Sequence, residues 1–370
     1  MNIKMRLSIF CCIAACMLTV AVPLISEATY GGRGAEAGVK DSGNLVYIPV
    51  KDAEESTPET VWEEPPEGDS LTSDGTSDNI GNLPVYNGDF TITVLDAKTG
   101  EASEMELDDY ITCVVAAEMP YTFNSEALKA QAVAARSYCL YKILNGSGHE
   151  NADVCTSYAH CAAFVSDDSL VNKYGETTAK KILKKVREAV EATSGQIITY
   201  KEKPALALFH SRSWKYTESS VNVWGGNLPY LVSVSTPEED SVSTVTVSES
   251  ELKKLFQSNY AVKVSSSSGT PELTSEVNDT GRQSSVFYGG SELKAKKLRT
   301  LLGLKSCDFE YERTAEGWVF TVHGYGHGVG MSQYGANVMA KNGSGYAEIL
   351  THYYTGVSID TIDHIEAIWE

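Results

Sequence analysis

The sequence predicts an α+β fold, and three observations predict it. Helix and strand signals are mixed along the chain without the strand–helix–strand rhythm of a parallel sheet. They are confined to about residues 83–365. Ahead of them stand a long apolar run and an acidic stretch broken by proline and glycine, neither suited to a packed core. The expected organisation is a single mixed domain at 83–365 with an insertion at 237–285. A disordered linker at 29–82 and one N-terminal membrane helix within 1–28 precede it.

The N-terminal element comes first. Lys4 and Arg6 precede an uncharged apolar run of 19 residues from Leu7 to Ile25. That is long enough for a signal-anchor, while Ser26-Glu27-Ala28 offers a cleavage site of the small-x-small kind. Both readings place the remaining chain on the extracytoplasmic side, because the basic residues stay inside. Residues 29–82 then hold twelve acidic and three basic residues, with Pro58 and Pro65-Pro66. Such a segment buries too little apolar area to offset its chain entropy, so it reads as a disordered spacer.

Folded sequence begins near Leu83. Asp89 to Leu95 alternates polar and apolar residues and meets Lys98-Thr99-Gly100, a strand followed by a turn. Leu107 to Met119 is apolar and stops at Pro120, a short helix with Asp108 and Asp109 at its N-cap. Asn124-Ser125-Glu126 opens a strong helix to about Leu144, closed by Asn145-Gly146. A further helix spans about Thr178–Thr193. Strand signals follow at Gln196–Tyr200, Ala205–His210, Leu231–Val234, Phe309–Tyr311 and Trp318–Val322. The stretch 237–285, serine-rich at 265–268, reads as an excursion. Helices at about Ser332–Lys341 and Tyr346–Tyr354 close the domain.

Four motifs carry chemistry. Glu118 ends a run of small apolar residues, where burial would raise its pKa and suit it to act as an acid; a solvated helix-end glutamate is the bland alternative. Lys129, Gln131, Arg136 and Tyr138 lie on the next helix. Lys129 and Arg136, seven apart, share a face that either meets substrate or is a solvated basic stripe. His149, Cys155, His160 and Cys161 provide four zinc-type donors within thirteen residues. A zinc site, a Cys155–Cys161 disulfide and free loop residues all remain open, and zinc held by all four ligands would be structural. Finally, the glycine-rich run from His323 to Ala336 reads as a tight loop feeding a helix at Ser332. It lacks the Gly-Lys-Ser/Thr ending of a phosphate loop.

These segments together resemble the family of stage II sporulation protein D and the related amidase enhancers. The strings are Ala117-Glu118-Met119-Pro120, Glu126 to Tyr138, Phe209-His210-Ser211, Val223 to Leu231, Gly326 to Ala336, and Ile349-Leu350-x-His352-Tyr353-Tyr354. They run collinearly from about residue 85 to 362. One departure follows Phe209-His210-Ser211: the family usually has Ser-Gly-Gly-x-Thr, whereas Arg212-Ser213-Trp214-Lys215-Tyr216-Thr217 stands here and is bulkier. The resemblance implies a peptidoglycan lytic transglycosylase that cuts MurNAc–GlcNAc bonds of denuded glycan strands and leaves a 1,6-anhydro end. It would act in engulfment during endospore formation, from the mother-cell membrane, with stage II sporulation proteins P and M as partners. A non-catalytic, glycan-binding enhancer of a cell-wall amidase is the alternative. Glu118 is the implied catalytic residue. Lys129, Gln131, Arg136, His210, Ser211, His327, Gln333 and Tyr334 are the expected substrate contacts. The formal net charge of -19 argues against nucleic acid, whose phosphates need a basic surface; it does not exclude a glycan whose only charges are lactyl carboxylates.

Overall fold

The computed structural model describes residues 90–259 and 271–364. The expected membrane helix at 1–28 and linker at 29–82 lie outside the described residues. Among the described residues no helix is long and apolar enough to cross a membrane.

Strand β1 (Thr91–Leu95) pairs antiparallel with β2 (Ala102–Glu106) across the turn at Gly100, and α1 (Leu107–Glu118) follows β2 without a loop. Asn124 then caps α2 (Ser125–Asn145) by accepting from the Glu126 N–H, and Gly146 ends it with positive φ. Helix α2 is the axis of the fold. Every residue from Ala130 to Leu140 is buried, and α1, β4, α4, α8 and α9 pack around it as introduced below. Its alanines let those neighbours approach closely, which explains a helix with almost no polar face.

Short β3 (Val154–Cys155) pairs parallel with β1. Helices α3 (Asp167–Tyr174) and α4 (Glu176–Glu191) meet at Gly175, whose φ of 80° breaks one helix from the next. The sequence reading missed α3, which buries only Leu170 and so has little apolar periodicity. Strand β4 (Gln196–Tyr200) sits between β5 (Lys203–Pro204) and the last strand. The expected strand at Ala205–His210 shrinks to β6 (Phe209–His210), and Leu231–Val234 forms none. Side chains satisfy backbone groups there: Tyr230 Oη accepts from the Leu206 N–H, and Tyr354 Oη donates to the Leu208 carbonyl.

After α5 (Ser220–Trp224) the chain enters 237–285, where the structure differs from the expected excursion. Strand β7 (Val242–Val247), α6 (Glu249–Asn259), β8 (Leu273–Val277) and β9 (Gln283–Tyr288) are ordered elements of a second core. That core also takes in β10 (Ser291–Lys294), α7 (Ala295–Leu302), β11 (Phe309–Thr314) and β12 (Gly317–His323). Leu252, Phe256, Tyr288, Leu298 and Phe320 fill it. The sequence marked an insertion here but not its elements, because the strands are half-exposed: β7 turns Val242, Thr244 and Thr246 outward and buries only Val247 fully. The chain returns through β13 (Met331–Ser332), parallel to β6, then α8 (Gln333–Lys341), α9 (Tyr346–Tyr353) and β14 (Ser358–Thr361) against β4.

Candidate active site

Glu118 is the last residue of α1, where Pro120 prevents another turn. Its carboxylate is half-buried. One oxygen accepts from the Ala163 N–H at 2.9 Å and the other from Gln333 Nε2 at 3.3 Å. Burial raises its pKa to about 6, and these two hydrogen bonds oppose the rise without cancelling it. Among the described residues, no second carboxylate perturbs it. The arrangement is an isolated carboxyl, protonated in part near neutral pH, beside donors that stabilise it after proton loss.

The two donors come from distant parts of the chain. Gln333 is the first residue of α8, whose N-cap, Ser332, accepts from the Gly335 N–H. Ser332 also hydrogen-bonds to buried Glu238, which accepts from the Ser213 N–H at 2.8 Å. The glycine loop ahead of α8 must lie tightly on β6: a Cβ on Gly330 would fall 2.0 Å from the Leu208 carbonyl oxygen. Ala163 arrives two residues after Cys161, at the end of the cysteine and histidine loop. A small pocket beside this loop is lined by Tyr138, Cys161, Leu208 and Phe209. The buried Tyr138 hydroxyl has no hydrogen-bond partner among the described residues.

Of the predicted metal residues, His149, Cys155 and Cys161 converge, their donor atoms all within 4.8 Å of one another. Cys161 Sγ is 3.5 Å from His149 Nε2, the spacing expected between sulfur and nitrogen at about 2.3 and 2.0 Å from one tetrahedral ion. The hydrogen bond between the two thiols lowers the Cys155 pKa to about 5 and raises that of Cys161. Both cysteines are free, with no disulfide between them. His160 does not join the three. It is exposed, with its ring centroid 5.9 Å from that of His149; being next to Cys161 in the chain, it projects from a different side of the loop.

Several predicted substrate contacts are placed elsewhere. Arg136 is fully buried and not on a substrate face: it donates to Asp108 Oδ1 at 2.7 and 2.9 Å and to the carbonyls of Val190, Thr193 and Gln196. Asp108 is therefore not an N-cap, a position that Glu106 occupies, but the counter-ion of this arginine. Asp109 pairs with Arg187 at 2.7 Å. Lys129 pairs with Glu126 at 2.6 Å and lies over the Tyr346 ring, serving the α2–α9 contact. Gln131 is fully buried, and neither amide atom meets a partner among the described residues. His210 is buried as well; its Nδ1–H donates to the Val329 carbonyl and its Nε2 accepts from Ser213 Oγ at 2.6 Å. Burial holds it neutral, well below the usual histidine range. The Ser211 carbonyl accepts from the Tyr334 N–H, tying the β6 end to α8.

Gln333 remains at the site, with Tyr334 beside it and partly exposed. His327 is half-buried near Trp224 and His210, and burial lowers its pKa to about 3, so it is neutral. His323, also in the loop, pairs with Asp240 at 2.6 Å and stacks on Trp214, a structural role. Sequence reasoning missed Ala163, which contributes only a backbone N–H and so carries no residue signal.

The family model described as "SpoIID: Stage II sporulation protein" matches residues 96–200, which hold Glu118, α2 and the metal-type cluster. Stage II sporulation protein D of Bacillus subtilis (strain 168) is 36% identical over 74% of this chain and 80% of its own length. The protein of that name from Bacillus amyloliquefaciens is 30% identical over 97% of both chains. This chain belongs to the stage II sporulation protein D family. Membership gives the protein a place in sporulation. The chain is also similar to the amidase enhancer of Bacillus subtilis (strain 168), 27% identical over 66% of this chain and 39% of that protein.

Proposed function

We propose that this family member is a lytic transglycosylase that cuts denuded peptidoglycan strands between N-acetylmuramic acid and N-acetylglucosamine. The observation that carries the proposal is Glu118: a lone half-buried carboxyl with its pKa raised to about 6, held by Ala163 and Gln333. Protonated Glu118 gives its proton to the glycosidic oxygen as the bond to the muramoyl C1 breaks. The resulting carboxylate takes the proton of the muramoyl 6-hydroxyl, whose oxygen closes on C1 to form the 1,6-anhydro ring. No water enters, and Glu118 ends protonated as it began. One residue serving as acid and then base needs no carboxylate partner, unlike the paired carboxylates of glycoside hydrolases. Gln333 and the Ala163 N–H stabilise the intermediate carboxylate.

The chemistry of the converging Cys155, Cys161 and His149 donors fits zinc. Zinc bound there would supply structural cross-linking of the 149–161 loop, and so hold the Ala163 N–H against Glu118. The proposal extends to the setting: an extracytoplasmic domain tethered at the mother-cell membrane by the N-terminal apolar segment, acting in engulfment with stage II sporulation proteins P and M.

The test is digestion of purified denuded glycan strands by the full-length chain and by Glu118→Ala, with products identified by mass spectrometry. An end lighter than the hydrolytic product by one water, made only by the wild type, is the expected result. Reducing ends without the anhydro product would defeat the mechanism. Glycan binding by both proteins with cleavage by neither would instead favour a non-catalytic enhancer of an amidase.

A further inference from the structure

Arg212 occupies the stretch where this chain departs from the family's usual serine and glycines, and the mechanism above makes no use of it. Its backbone is fixed: its N–H donates to the Tyr325 carbonyl at 3.0 Å, and its carbonyl accepts from the Tyr325 N–H at 2.8 Å. Its guanidinium carbon lies 3.4 Å from the centre of the Tyr334 ring, and Tyr334 meets Phe123 edge-on at 4.9 Å. Tyr334 follows Gln333, whose amide touches Glu118, and Phe123 lies in the loop that leaves Glu118. The guanidinium thus rests on the wall that begins at the candidate acid.

Its polar side is free. Every other arginine among the described residues has an acceptor: Arg136 has Asp108, Arg187 has Asp109, Arg282 has Asp308, Arg299 has the Leu304 carbonyl and Arg313 has Glu249. Arg212 has no hydrogen bond or ion pair from its side chain among those residues, although acidic residues outnumber basic ones 49 to 30 in the sequence. A guanidinium stacked on an aromatic ring keeps its in-plane N–H groups available, and the ring fixes its plane in advance. That planar fork matches a carboxylate, which it binds through two parallel hydrogen bonds. A chain of net charge -19 repels anionic polymers, so an unneutralised cation on the wall that begins at the candidate acid is a feature that would help admit one.

We propose that Arg212 binds the lactyl carboxylate of a muramoyl residue and thereby selects strands from which the stem peptide is gone. The inference rests on the glycan-cleaving reading of the site. A stem peptide is joined to the lactyl group through an amide, which removes the charge that the guanidinium reads. Arg212 is on this account a specificity residue, not a participant in proton transfer.

The test uses the full-length chain carrying Glu118→Gln, so that strands are bound without being cut. Affinity is measured for denuded glycan oligomers with free lactyl carboxylates and for the same oligomers with those carboxylates converted to methylamides. Adding Arg212→Ala should weaken binding of the free-carboxylate oligomers about tenfold, the size of one lost hydrogen bond to a charged group. Binding of the methylamide oligomers should not change. Arg212→Lys should restore only part of the loss, since it keeps the charge but not the fork. Equal weakening toward both ligands, or none toward either, would overturn the proposal. Cleavage by the Glu118 wild type separates the two ideas. Absence of anhydro product with the carboxylate preference intact defeats the reaction and leaves Arg212 its role. Glu118-dependent cleavage with an indifferent Arg212→Ala does the reverse.

Discussion

Replacing Glu118 with glutamine should make the protein more stable at neutral pH while abolishing cleavage. The pKa of Glu118 is raised from 4.5 to about 6 by burial, so the folded state binds its proton more tightly than the unfolded chain does. Between those two values the native protein holds more protons than the unfolded one, and stability falls as pH rises. A rise from 4.5 to about 6 corresponds to a loss of about 2 kcal/mol of stability that is complete above pH 6 and absent below pH 4.5. The side chain is half-buried, so this is an upper figure. Glutamine removes the charge but keeps a carbonyl for the Ala163 N–H, and Gln333 can turn its amide to accept from the new one. The assay is urea unfolding of wild type and Glu118→Gln at intervals from pH 4 to pH 8. The difference should be near zero at pH 4 and grow to about 1–2 kcal/mol in favour of the variant by pH 7. A difference independent of pH, or a variant less stable at pH 7 than at pH 4 relative to wild type, would refute the argument that burial raises this carboxyl.

Three further outcomes follow from the same geometry. Gln333→Leu removes a hydrogen bond that favours the carboxylate, so the pH–rate profile that titrates Glu118 should move upward by about half to one unit. Arg136→Met strips a counter-ion from Asp108 and a donor from three buried carbonyls, and should cost about 3 kcal/mol or more in unfolding experiments. Glycan affinity of the protein that remains folded should be unaffected, which separates this reading from a substrate-binding arginine. Stripping metal with a chelator, or making Cys161→Ser, should lower the measured zinc content and the melting temperature together. It should also move the Glu118 titration upward as the Ala163 N–H is released.

Much of the helical frame is legible in the chain because its signals are local. Asn124 and Gly146 mark the ends of α2, Pro120 ends α1, and Ser332 caps α8. Glu118 was visible for the same reason, as a carboxylate set against small apolar residues where a helix must stop. The second core was legible only in part: strands at Phe309–Tyr311 and Trp318–Val322 were expected, but β7, α6, β8, β9, β10 and α7 were not, because they are short, half-exposed and joined across more than seventy residues from Val247 to Val322. Their apolar residues cooperate only once β7, β11 and β12 are paired.

The fate of the charged residues shows the division most clearly. Lys129 and Arg136 lie seven apart on one helix, and periodicity alone puts them on one face. Which neighbour that face meets depends on α1, α4 and α9, so only the packed structure spends Arg136 on Asp108 and Lys129 on Glu126. Likewise the sequence could nominate His149, Cys155, His160 and Cys161 by chemistry, whereas the loop path decides that three converge and His160 does not. Residue type and local spacing determined by themselves the capped helices and the α+β class, and singled out Glu118 only as a candidate beside the reading of a solvated helix-end glutamate. Long-range packing alone decided the two donors on Glu118, one a backbone N–H and the other an amide 215 residues away, because hydrogen-bond partners are set by where the chain returns and not by what stands beside it.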